Sequence, residues 1–95
     1  MKKVAVLIND VDQQYEGLRS SLGMLLYETE VQMFVVNEEI AKMDEAYRDN
    51  MEFLDEMEGG RFSNNRANVE KYGFEPLDLA EIPTKLREND IIIAF

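Results

Sequence analysis

The chain contains no cysteine, no histidine and no tryptophan, and only two prolines and five glycines. Without cysteine there is no disulfide and no thiolate nucleophile. Without histidine as well, the usual zinc sites and any Ser-His-Asp arrangement within one chain are excluded. Basic residues are also scarce: 10 lysines and arginines face 20 acidic residues, for a net charge of -10. Nucleic acid would repel such a surface and is not an expected partner. Long apolar runs are missing too. Met1-Lys2-Lys3 precedes the run Val4 to Ile8, which is too short for a signal-peptide core or a membrane span. We expect no targeting segment, no membrane partner and a cytoplasmic location, with which zero cysteines agree.

Glycine is absent where a nucleotide cofactor would need it. The turn after the first apolar run reads Asn9-Asp10-Val11-Asp12. Phosphates are held by backbone N–H groups of glycine-rich turns, and here they would meet two carboxylates. NAD, FMN and P-loop functions are therefore rejected, and no cofactor is expected. An EF-hand reading of Asp10-x-Asp12 fails, because Tyr15 stands at the glycine position and Ser21 at the twelfth. The same carboxylates partly resemble the acidic Mg²⁺ corner of response-regulator receivers. That chemistry needs an acceptor aspartate after the third strand, where Ser63, Asn64 and Asn65 stand instead.

What is present is an alternation of short apolar runs and helical stripes. Val4 to Ile8 is continuously apolar, as in a strand covered on both faces. A helix follows, with Val11, Tyr15, Leu18, Leu22, Leu25 and Leu26 on its stripe and Asp10 or Asp12 as N-cap. Val31 to Val36 is a second strand. Residues Glu38 to Glu58 predict a long acidic helix, with Ile40, Met43, Tyr47, Met51, Leu54 and Met57 facing the core, ended by Gly59-Gly60 in the left-handed conformation. Arg61 to Ser63 is a short third strand, and Asn64 or Asn65 caps a small helix through Tyr72 that Gly73 closes. Phe74 to Leu79 is either an edge strand or a loop. Pro83 opens a short helix reaching Glu88, and Ile91 to Phe95 is a buried strand. We expect one domain, residues 1–95, of α/β class: a mostly parallel four- to five-stranded doubly wound sheet with helices on both faces. A domain so small buries only about two-thirds of its unfolded surface, which favours an oligomer.

Ligands of such sheets bind beyond the carboxyl ends of the strands. Here those ends carry Asn9, Asp10, Asp12, Asn37, Ser63, Asn64 and Asn65, a candidate polar pocket whose members also have the preferences of caps and turns. The acidic face of the long helix reads as a solvated surface, with a docking surface for a basic partner as the alternative. Its methionines read as core, with packing against another subunit as the alternative. No arrangement of carboxylates, lysines or tyrosines indicates a reaction, and no catalytic or metal-ligating residue is assigned.

Over essentially its whole length the chain resembles the DsrE/DsrF-like family, which includes the TusBCD subunits of sulfur relay. The likeness is carried by Lys3-Val4-Ala5-Val6-Leu7-Ile8-Asn9-Asp10, by Tyr15-Glu16-Gly17-Leu18-Arg19, by Val31 to Val36, more loosely by Met57-Glu58-Gly59-Gly60-Arg61-Phe62, and by Asn89-Asp90-Ile91-Ile92-Ile93-Ala94-Phe95. The resemblance implies the same fold and a habit of forming homo-oligomers or hetero-oligomers with paralogous subunits. It also implies a persulfide-carrying cysteine just after the third strand. That region here is Phe62-Ser63-Asn64-Asn65-Arg66, and a hydroxyl or an amide cannot hold a sulfane sulfur. The expectation is a non-catalytic subunit or interaction module associated with sulfur metabolism or sulfur relay. The alternative is a small-molecule or divalent-cation sensor at the strand carboxyl ends.

Overall fold

The computed structural model describes residues 2–27 and 29–95. Five strands and four α-helices follow in the order β1 Lys3–Ile8, α1 Gln14–Leu25, β2 Glu30–Val35, α2 Glu45–Glu56, β3 Gly60–Ser63, α3 Arg66–Tyr72, β4 Glu75–Pro76, α4 Ile82–Leu86 and β5 Ile91–Ala94, with a 3-10 turn at Val11–Gln13 before α1. Every strand pairing is parallel, and the spatial order is β4-β3-β2-β1-β5. The chain therefore steps in one direction from β1 to β4 and then crosses back to the far side of β1. With right-handed crossovers, a reversal of direction puts the last helix on the opposite face. The core agrees. Val4, Val6, Ile8, Val31, Met33 and Val35 pack with residues of α1, α2 and α3. Ala5, Phe34, Val36 and Phe62 face Ile82 and Leu86 of α4. The sheet is parallel and doubly wound, as expected.

Local sequence explains most element boundaries. Asn65 caps α3 by accepting from the N–H groups of Ala67 and Asn68, and Gly73 closes it with φ 71°. Pro83 lies in the first turn of α4, where its missing N–H costs nothing. The ambiguous segment after Phe74 resolves into a two-residue edge strand, while Phe74 itself is buried.

Four expectations are corrected. First, the long acidic helix begins at Glu45, seven residues after Glu38, with Asp44 as N-cap accepting from the Tyr47 N–H. The N–H groups of Ile40 and Ala41 are taken by the side chains of Asn68 and Gln14, so residues 38–43 form a loop that buries Ile40. Second, the buried stripe of α1 is Gln14, Gly17, Leu18, Ser21 and Leu25, whereas Val11 and Tyr15 are 41% exposed. The helix is turned so that Gly17 lies on Ile8. A Cβ there would come within 2.4 Å of the Ile8 side chain. Asp10 caps the 3-10 turn, and α1 itself starts from Gln13 without a side-chain cap. Third, the left-handed residue after α2 is Glu58, with φ 64°. Gly59 is required for closeness instead, because its Cβ would meet Leu54 Cδ1 at 2.5 Å. Fourth, β5 is an edge strand, and Ile91, Ile92 and Ala94 are exposed while Ile93 is half-buried against the core. The short α4 ends at Leu86, before the expected Glu88, and covers the central strands.

Gly17 and Gly23 lie in the same helix with opposite surroundings. Around Gly23 nothing lies within 4 Å of an added Cβ. Gly23→Ala is expected to stabilise by about 0.5–1 kcal/mol through helix propensity. Gly17→Ala is expected to destabilise by about 1–2 kcal/mol, overpacking outweighing that same gain. Urea denaturation of the two variants reads the difference directly.

Candidate functional site

The carboxyl ends of β1, β2 and β3 bring five of the seven candidate residues together. Ser63, the last residue of β3, is buried. Its hydroxyl donates to the Val35 carbonyl at 2.6 Å and accepts from the Asn65 N–H at 3.0 Å. Asn37 follows β2 in the left-handed conformation, φ 67°, which asparagine tolerates better than most residues. Its N–H donates to Asn64 Oδ1 at 2.7 Å, and its Nδ2 donates to Asn9 Oδ1 at 3.1 Å. Asn64 Nδ2 returns a bond to Asn37 Oδ1 at 3.2 Å, and Asn65 Nδ2 donates to the Asn37 carbonyl at 3.2 Å. An amide chain thus crosses the three loops.

Asp10 and Asp12 stand apart from it. Asp10 Oδ1 accepts from the Asp12 N–H at 2.9 Å within their own turn. Asp12 is exposed. Among the described residues, no three acidic side chains are arranged to hold a metal ion.

Two residues that the sequence did not single out complete the cluster. Asn68 is fully buried. Its Oδ1 accepts from the Ile40 N–H at 2.9 Å, while its Nδ2 donates to the Glu38 carbonyl at 3.0 Å and to Ser63 Oγ at 3.1 Å. Gln14 does the same from α1, donating to the Glu39 carbonyl at 3.0 Å and accepting from the Ala41 N–H at 2.9 Å. Together these two amides satisfy the backbone of the 38–41 loop. The only local signal was a polar residue on each helix's buried face: Gln14 one turn before Leu18, and Asn68 three residues after the cap Asn65.

Chemically, the cluster is a set of neutral amides and one hydroxyl, most of whose capacity is spent within the protein. The Ser63 proton is committed to a backbone carbonyl, and no base adjoins it, so nothing activates the oxygen as a nucleophile. A cleft of about 360 Å³ lies nearby between the starts of α1 and α2, lined by Val11, Asp12, Tyr15, Lys42, Asp44 and Tyr47 among others. A second cleft, of about 700 Å³, is at the opposite end of the sheet, where Lys3, Glu30, Gln32, Glu58, Glu88 and Asn89 line it. Away from the cluster, Arg61 ties α2 to the end of α3: its guanidinium is bidentate on Asp55 at 2.7 and 2.9 Å and donates to the Tyr72 carbonyl at 2.8 Å. No family model, no curated protein and no solved structure matches the chain.

Among the described residues, Tyr47 alone has a strongly perturbed titration. Its side chain is 2% exposed, and its hydroxyl has no hydrogen-bond partner. Burial drives its pKa well above the ordinary tyrosine value, and the positive charge of Arg61 opposes this only in part. The folded state therefore holds the neutral phenol more tightly than the unfolded chain does. That stability is intact below about pH 10 and is lost as pH rises beyond it.

Three variants test these geometries. Asn68→Ala leaves the Ile40 N–H without its partner and is expected to cost about 1–3 kcal/mol. The exposed Asn9→Ala is expected to cost about 1 kcal/mol or less. Urea titration and amide exchange at Ile40 check both. Tyr47→Phe removes an unsatisfied hydroxyl and is expected to be neutral or stabilising at pH 7. It is also expected to shift alkaline unfolding upward, as followed by circular dichroism against pH.

Proposed function

We propose that the protein is a non-catalytic DsrE-like subunit or interaction module, associated with sulfur metabolism or sulfur relay and working in the cytoplasm. The parallel doubly wound fold accords with the resemblance in β1, β2 and β5. The observation that carries the reading is at the end of the third strand. Where the resemblance calls for a persulfide thiol, Ser63 stands buried with its hydroxyl donated to the Val35 carbonyl. A group so placed neither carries sulfur nor is free to bind a ligand. The fold is then kept for its surfaces, and the partners are copies of itself or paralogous subunits. The sensor alternative is the weaker reading, because the Asn9–Asn37–Asn64 chain pairs its amides with one another.

The test is incubation with a persulfide donor followed by intact mass measurement. The mass is expected to stay unchanged, and a stable sulfur adduct would overturn the proposal. Thermal-shift measurements with divalent cations and metabolites form the second arm. No shift is expected, and clear stabilisation by any of them would move the assignment to the sensor.

A further inference from the structure

We draw no further inference here: the strongest candidate, the cleft of about 360 Å³ between the starts of α1 and α2 that Tyr15, Tyr47, Asp12 and Asp44 line, carries nothing, because Lys42 of the same cleft already faces Asp44 at 3.8 Å and nothing in the structure shows what occupies it.

Discussion

The hydrogen bonds of one buried amide hold the carboxyl side of the sheet in place. Asn68 reaches from α3 to the loop after β2 and to Ser63 at the end of β3, satisfying the Ile40 N–H, the Glu38 carbonyl and the Ser63 hydroxyl. A loop buried against a helix must find partners for its backbone groups, since each unpaired group costs about as much as a lost hydrogen bond. Gln14 meets the same need from the α1 side. With those bonds made, Ile40 can enter the core although it lies in a loop. The asparagines above are left to bond with each other. A region that parallel α/β proteins generally offer to ligands is thereby turned into a joint.

The two faces of the sheet are unequally covered. Three helices pack on one side, and only the five-residue α4 packs on the other. That imbalance follows from the strand order, because three successive crossovers advance in one direction and only the last returns. It has a local cost at β5, which gains a single neighbouring strand and little cover. The chain keeps apolar side chains there all the same, and Ile91 and Ile92 stay 37% and 50% exposed.

Much of the architecture was legible in the residues. β1 and β2 were marked by β-branched runs, α3 by Asn65 and Gly73, and the turn before β5 by Asn89-Asp90. Proximity of the candidate polar residues was legible too, because parallel strands bring their carboxyl ends to one side. Their engagement was not, since a hydrogen-bond partner 27 or 28 residues away leaves no local trace. The stripe of α1 was misread for a related reason. Periodicity favours Val11 and Tyr15 over Gln14 and Ser21, but contact with Ile8 at Gly17 set the rotation of the helix. The start of α2 was misread because residues 38–43 have an amphipathic spacing that fits a helix, while their N–H groups had better partners elsewhere.

The amino-acid sequence alone determined the alternation of strands and helices, the single domain and the absence of thiol and imidazole chemistry. All of these depend on composition and on spacing within a few residues. Tertiary structure decided the strand order, the rotation of α1, the loop conformation of residues 38–43 and the exposure of β5. Each of those turns on which distant group arrives to satisfy a backbone N–H or to cover a side chain, and that is settled only when the whole chain packs.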